Sequence, residues 1–407
     1  MKEKSKNLIV IIGNGFDLAH GLKTSYNHFA NYYLNEIILT KIFDFENNKQ
    51  FLNKELLIYL NQNIMTFSDL STESTDDKFL NDVSYFIQHN KTDKVSPFLN
   101  SNNEYVKLLI SNKLLGKLYS NSFENWFDIE QAYYEELKDI YNSPKENHND
   151  ELKILNNNLQ EIKDALKKYL NDKIEPTHNG SVNNSFESHF IDRENVSFIN
   201  FNYTNTIENY TNSSLGRNNI HIHNSLSEDI IFGYGDDTDE MYQQMKASKN
   251  NNFLKYFKTF DYLKSKNYRK VLNQLATFKD GYDVLVIGHS LGGTDKTILK
   301  TILDDDSCQN IELLKRSDFD TDERYKELNL LEKEQLKADN LFELYANLAR
   351  IFDSEASLRK KVIPFEWSIN FPVMANYDYT KIQKREKELF IIKSNHITLK
   401  TRKRKTT

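Results

Sequence analysis

Two stretches of the chain are apolar and β-branched with no polar break, Leu8–Ile12 and Val284–Gly288. Strands buried on both faces of a parallel sheet read this way, because neither face meets water. "VSFINF" (196–201), "IHIH" (220–223) and "NIELLKRS" (310–317) are three further strand candidates. A turn, and in three cases a helix-like segment, follows such runs. That is the α/β pattern, with ligand loops expected at the carboxyl ends of the strands.

From about residue 32 to 172 the period changes. "NKELLIYLNQNIMTF", "EYVKLLISNKLLGKLY", "NWFDIEQAYYEELKDIY" and "ELKILNNNLQEIKDALKKYL" carry apolar residues at helical spacing with polar faces between them. We expect an α/β core from 1–35 and 194–318, its parallel sheet Rossmann-like, and a large helical insertion over 36–172. The Asn-, Ser- and Gly-rich stretch 173–193 reads as a loop back to the sheet. Residues 319–407 read as mostly helical with a basic tail. No repeat has a solenoid period.

Composition narrows the class. The 53 basic side chains are balanced by 59 acidic ones, which argues against a broad nucleic-acid-binding face. The one basic cluster, "KTRKRKTT" (400–407), reads as a solvated end. Mean hydropathy is low, at -0.67. The 23 Tyr and 26 Phe nevertheless supply large apolar faces for a core. A single cysteine, Cys308, excludes an internal disulfide and a thiolate cluster and fits a reducing compartment. No segment is long and apolar enough to span a bilayer, and Leu8–Ile12 is too short for a signal-peptide core. A cytoplasmic protein with no membrane partner is expected.

The first loop, "GNGFDLAHG" (13–21), raises the question of a ligand. Glycine directly after a buried strand lets backbone approach a phosphate closely. The dehydrogenase fingerprint wants a third glycine at position 18, where Leu18 stands, so that fingerprint fails. A tight strand-to-helix turn explains the pair Gly13 and Gly15 equally well. Asn14, Asp17 and His20 crowd between the glycines. Asp17 is either a helix cap or, with the other two, a ribose or base contact.

Three later motifs add polar groups to strand ends. Asn200, Asn202 and Thr204 fall on alternate positions of "FINFNYTNTIENY", which in a strand is one face. They form either an internal network or a ligand contact. His221 and His223 follow in "IHIHN", with no carboxylate or thiolate at zinc spacing. A histidine acid or base and a satisfied core histidine are the two readings. "GHSLG" (288–292) matches the nucleophile elbow of serine hydrolases, with Asp305 or Asp306 and His396 available in chain order. The charged helix start Thr294-Asp295-Lys296 speaks against that assignment, since the helix after an elbow usually opens with small residues.

Taken in order, "IIGNGFDLAHGLKTSY", "NWFDIE", "FINFNYTNTIE", "IHIH", "IIFGYGDD" and "GHSLGGTD" resemble the bacteriophage abortive-infection AbiH family over about residues 7–300. The chain departs at Asn224, where the family usually has glycine. It also resembles, more distantly, sirtuin-like NAD hydrolases, whose first loop has the form G-A-G-x-S-x-x-S-G-I. Gly13, Asn14, Gly15, Asp17, His20, Gly21 and Leu22 fall on that pattern without a gap, with Phe16 inside it. Asn202 falls on the Asn of T-x-N-x-D, with Thr204 replacing the Asp. His223 falls on the His of H-G-S. Gly288, His289, Ser290 and Asp295 fall on the motif that contacts the adenosine half.

The resemblance implies a phage-defence protein that takes NAD or a related adenine nucleotide as substrate, with no resident cofactor or metal. Asn202 would orient the ribose and water, and His223 would be the base. The remaining matched residues, Gly13 to Asp17, His20, Gly21, Thr204, Gly288 to Ser290 and Asp295, would hold the nucleotide. The losses at Thr204 and Asn224 keep a non-catalytic nucleotide sensor open beside the hydrolase, and a serine hydrolase at Ser290 is a third alternative. A phage-derived trigger is implied as partner. The oligomeric state is open, a homo-oligomer included.

Overall fold

In the computed structural model the described residues are 5–33, 114, 126–144, 148–177, 182–211, 216–314, 327–368 and 371. The helical readings over 34–113 and 115–125, the basic tail and His396 lie outside these. In chain order the elements are β1 (Asn7–Ile12), α1 (Asn14–Ala19), α2 (Tyr26–Tyr32), α3 (Trp126–Asn142), α4 (Asn149–Tyr169), α5 (Asn184–Glu187), β2 (Asn195–Asn200) and β3 (Arg217–His221). Then come α6 (Glu240–Ala247), α7 (Lys258–Lys264), α8 (Asn267–Thr277), β4 (Tyr282–Ile287), α9 (Lys296–Leu303), β5 (Cys308–Leu313), α10 (Leu330–Ile351) and α11 (Glu355–Lys361).

The chain divides into two compact units. One contains Met1–Leu22, His178–Ser225 and Ser265–Thr407; the other contains Lys23–Thr177 and Leu226–Lys264. The first holds a five-stranded sheet of order β3-β2-β1-β4-β5. Every pairing is parallel, so the α/β, Rossmann-like reading is met. β4 is buried along its whole length and β1 from Leu8 onward. The edge strands β3 and β5 mix buried with more exposed positions. One face of the sheet packs Leu8, Val10, Ile12, Phe198, Leu285 and Ile287 against Phe16, Phe186, Phe190 and Tyr210.

The second unit is helical where described, around α2, α3, α4, α6 and α7. Ile129, Tyr133 and Leu137 recur at helical spacing on α3 and are fully buried, as are Leu152, Leu159 and Ile162 on α4. "NWFDIE" and "IIFGYGDD" meet here. Glu130 accepts hydrogen bonds from Gly233 N at 3.1 Å and Lys258 Nζ at 3.0 Å. A side chain on Gly233 would put its Cβ 2.0 Å from Tyr256 O, which explains the glycine. At the start of α3, Glu130 is therefore a buried partner, and Asp128 is half-buried.

Candidate functional site

The registers align the strand ends. Ile12 stands opposite both Asn200 and Ile287, and Asn200 stands opposite His221. All four strands are parallel, so the loops that begin at Gly13, Phe201, Ile222 and Gly288 leave from one edge, the carboxyl one. The chain runs from β1 outward through β2 and β3, then crosses to β4. The switch point of the topology therefore lies between β1 and β4, where open α/β sheets bind their ligands.

The first loop is packed against the last of these. Gly13 N donates to Ile287 O and Gly15 N to Gly288 O, both at 3.0 Å, and Phe16 N donates to Gly13 O at 2.9 Å. A Cβ on Gly13 would lie 2.5 Å from Gly288 O, and one on Gly15 would lie 2.7 Å from Gly288 Cα. The glycines thus let two loop backbones touch, and the three N–H groups are spent on protein carbonyls. Gly21 has another reason. It takes φ +78° just after α1, and Leu22 N bonds back to Asp17 O, a left-handed helix stop. His20 packs among the rings of Phe16, Phe186 and Tyr210. Its Nδ1 faces Phe16 O at 2.8 Å and its Nε2 faces Tyr210 OH at 2.7 Å, so the ring is Nδ1–H and Tyr210 is the donor. Burial pushes the Tyr210 phenol up to about 12, keeping that proton in place. Asn14, at the start of α1, is half-exposed.

β2 ends at Asn200, so Asn202 and Thr204 lie beyond the strand and do not share its face as the alternation suggested. Asn202 is held from three sides. Its N–H donates to Asn200 Oδ1 at 2.9 Å, its Nδ2 donates to Gly13 O at 3.0 Å, and its carbonyl accepts from His221 Nδ1 at 3.0 Å. With Nδ2 given to Gly13, the amide keeps its Oδ1 as an acceptor. Thr204 Oγ1 donates to Asp17 Oδ2 at 2.6 Å, and both residues are buried.

β3 ends at His221, and a turn carries His223 off the strand. His223 Nε2 lies 3.0 Å from Asp295 Oδ1, and His289 Nε2 lies 3.6 Å from Asp295 Oδ2. All three side chains are buried. Phe201 packs edge-on against both imidazoles, at 5.2 Å and 4.2 Å between ring centres. Asp295 stands at the N-cap of α9, where aspartate ordinarily accepts from the helix N–H groups and stabilises by about 1 kcal/mol. Here its side chain makes no capping bond and is directed to the histidines instead.

The turn after His223 accounts for Asn224. It has φ +64°, a left-handed backbone that favours glycine and tolerates asparagine best among the rest. Its Oδ1 also accepts from Ser265 Oγ at 2.9 Å and Asn267 Nδ2 at 3.0 Å. Asn224→Gly and Asn224→Ala both lose these bonds, but only alanine carries a Cβ into left-handed backbone. Denaturant unfolding should therefore find the alanine variant about 1–2 kcal/mol less stable than the glycine one; equal stabilities would mean the turn relaxes.

Ser290 is exposed, and its carbonyl accepts from Asn347 Nδ2 at 3.0 Å. The positive φ angles of this loop fall on Gly288 and Leu291, not on the serine, whereas a nucleophile elbow strains the nucleophile itself. Asp305 precedes β5 at the amino edge of the sheet, where it caps Ser307 N at 2.8 Å. One six-residue strand, about 20 Å, separates that edge from Ser290. A triad built on Ser290 and Asp305 does not assemble in this fold.

Sequence reasoning placed Asp295 beside adenosine and missed its approach to His223, which no local spacing signals. It also missed Asn267 as the anchor of the Asn224 turn. A cleft of about 370 Å³ sits at the opposite, amino edge of the sheet, lined by Asn7, Asn195, Gly216, Arg217 and Gln274. None of the motif residues borders it. Among the described residues no group of histidines, cysteines and carboxylates is arranged to hold a metal ion, and no helix is long and apolar enough to cross a membrane.

A parallel sheet of order 3-2-1-4-5 with a buried imidazole–carboxylate pair at its carboxyl edge defines an α/β protein of the Rossmann-like class. The family described as "Bacteriophage abortive infection AbiH" matches residues 9–315. The chain belongs to that family, and with it to the proteins of phage abortive infection. No curated protein and no solved structure matches it.

Proposed function

We propose that this protein carries out abortive infection by binding NAD, or a related adenine nucleotide, at the carboxyl edge of its sheet and hydrolysing the bond between nicotinamide and ribose. The observation that carries this reading is His223 paired with Asp295 next to the β1/β4 switch point. Cleavage passes through an oxocarbenium-like state at the ribose carbon. A water oxygen bonds to that carbon, the nicotinamide nitrogen departs with the electron pair of the broken bond, and His223 takes the proton from the water. Asn202 Oδ1 would accept from a ribose hydroxyl or the water.

A second feature supports a sirtuin-like site. The motif has serine where this chain has Asp17, and aspartate where it has Thr204. The two residues are hydrogen-bonded to each other. The departures are therefore complementary: this chain has the carboxylate in the first loop and the hydroxyl in the later one, and the two are bonded to each other.

The sensor reading draws on a different fact. The N–H groups of Gly13, Gly15 and Phe16 are already bonded within the protein, so a phosphate would meet few free donors in that loop. Incubating the purified protein with NAD, with and without an infection trigger, and measuring free nicotinamide separates the two. Unchanged cellular NAD after infection, in cells the protein protects, would rule out hydrolysis and leave the sensor.

Ser290→Ala tests the third chemistry. A serine that only hydrogen-bonds a ribose contributes about 0.5–1.5 kcal/mol to binding. NAD affinity should fall by that amount, measured calorimetrically, with turnover kept. Turnover abolished at unchanged affinity is the outcome for a nucleophile.

A further inference from the structure

One peptide group in the loop after β4 is gripped at both ends. The carbonyl of Ser290 accepts from Asn347 Nδ2 at 3.0 Å. The N–H of Leu291, the other end of the same peptide, donates to His289 Nδ1 at 2.9 Å. Both grips have a defined polarity. Arg350 Nη1 donates to Asn347 Oδ1 at 2.8 Å, and a guanidinium only donates, so the amide turns its Nδ2 to Ser290. A backbone N–H also only donates, so His289 Nδ1 carries the lone pair. His289 Nε2 lies 3.6 Å from Asp295 Oδ2, beyond hydrogen-bond reach, and the grip on the peptide does not depend on it.

In this orientation Leu291 has φ +58°, a left-handed backbone that is uncommon for a residue with a Cβ. Its side chain is buried, so the residue stays where it is. Turning the peptide over relieves the backbone. A rotation of about 180° changes only ψ of Ser290 and φ of Leu291, as between type II and type I turns, and makes that φ negative. Both Cα atoms and both side chains keep their places. The two partners fit the turned peptide as well, because an amide and an imidazole can each offer a donor or an acceptor. His289 as Nδ1–H would donate to Ser290 O, and Asn347 would rotate its amide so that Oδ1 accepts from Leu291 N. Only the bond from Arg350 is given up, and Arg350 is exposed. The leucine backbone thus favours the turned form and Arg350 favours the observed one.

We propose that the Ser290–Leu291 peptide is a two-position switch at the candidate site, and that Asn347 is the positioning residue that sets it. Asn347 stands on α10, which packs against α9 and the turn Gly293–Asp295. That helix lies beyond residues 9–315, the part of the chain that matches the family. A segment outside the shared region therefore sets a loop inside it. The consequence for the nucleotide rests on the hydrolase reading, in which this loop serves the adenosine half, so the switch acts on affinity and not on the bond that is cleaved.

The test uses the full chain labelled with ¹⁵N at histidine, at about pH 8, above the ordinary imidazole range. Long-range ¹H–¹⁵N correlations report which ring nitrogen holds a proton, and His289→Gln assigns the signal. The wild type should show His289 Nδ1 without a proton. Asn347→Asp is the decisive variant. A carboxylate keeps Arg350 but cannot donate to Ser290 O, whereas it accepts from Leu291 N once the peptide has turned. His289 Nδ1 should become protonated, and a crystal structure of the variant should give Leu291 a negative φ. Arg350→Ala changes an exposed side chain and frees the amide. It should raise the turned share by about twofold to tenfold, the weight of one hydrogen bond, and it carries the test alone where Asn347→Asp does not fold. A protonated Nδ1 in the wild type, an unprotonated one in folded Asn347→Asp, or no change in Arg350→Ala overturns the inference. These measurements need no NAD. In the cleavage assay Asn347→Asp should raise KM for NAD by about twofold to tenfold with kcat kept, and an unchanged KM beside a switched His289 overturns the link to affinity. A switched His289 with no NAD cleavage by any form would remove the hydrolase reading alone, and cleavage with an unswitched His289 would remove the switch alone.

Discussion

His223→Gln should lower NAD cleavage by about a hundredfold to ten-thousandfold while the protein stays folded. Glutamine keeps a hydrogen-bond donor that reaches toward Asp295, so the buried carboxylate is not left bare, but an amide does not take a proton from water. On the proposed hydrolase reading the loss appears in turnover more than in nucleotide affinity, because a general base acts as charge develops in the transition state. Phage protection should disappear together with the fall in cellular NAD. His221→Gln is the control. His221 sits two residues earlier but bonds the carbonyl of Asn202, not Asp295. Losing that bond costs about 0.5–1.5 kcal/mol of stability, and cleavage should remain within about one order of magnitude, since about 1.4 kcal/mol is tenfold. Equal damage from both variants would mean that His223 is needed for structure and not for proton transfer. The comparison requires circular dichroism and a melting midpoint for each variant beside the rates.

The second large effect lies in the helical unit. Lys258→Met should destabilise the protein by about 3–5 kcal/mol, the usual cost of leaving one member of a buried ion pair alone. Lys258 Nζ and Glu130 Oε1 are 3.0 Å apart, with side chains 1% and 7% exposed. Water cannot replace the lost ammonium there. Adding Glu130→Gln should restore most of the loss, because the amide oxygen still accepts from Gly233 N and no charge is stranded. Urea unfolding of the wild type, both single variants and the double variant gives the coupling directly. A double variant no more stable than Lys258→Met would show that the lysine stem, not its charge, holds the unit.

Much of the sheet was legible. Leu8–Ile12 and Val284–Ile287 are strands because a run that is apolar on both faces has few other places to go. The ends of strands were less so. "FINFNYT" and "IHIH" alternate as a strand would, yet the ladders stop at Asn200 and His221. Polar side chains past the last pair turn back and bond the backbone, and alternation carries no mark of where that begins. The site was legible as a set of loops, since strand order and parallel registers bring their starting points to one edge. Its pairings were not. His223 and Asp295 are far apart in sequence, and an aspartate before a helix reads as a cap from any local window. Glu130 and Lys258 were opaque for the same reason, one lying in an amphipathic helix and the other in an aromatic-rich stretch far along the chain.

The strand order also sets a timetable. β1 is the first strand synthesised, and it lies in the middle of the sheet between β2 and β4. The two segments of the helical unit delay its two neighbours in turn, Lys23–Thr177 preceding β2 and Leu226–Lys264 preceding β4. A nascent chain that has reached Lys264 therefore contains everything the helical unit needs, while β1 still waits for Tyr282–Ile287 on one side. During that interval its apolar backbone edge is open to any other strand, the condition under which chains pair wrongly. A ribosome that stalls there releases a fragment with one unit complete and a sticky half-sheet, so late messenger damage should be more toxic to folding than early damage.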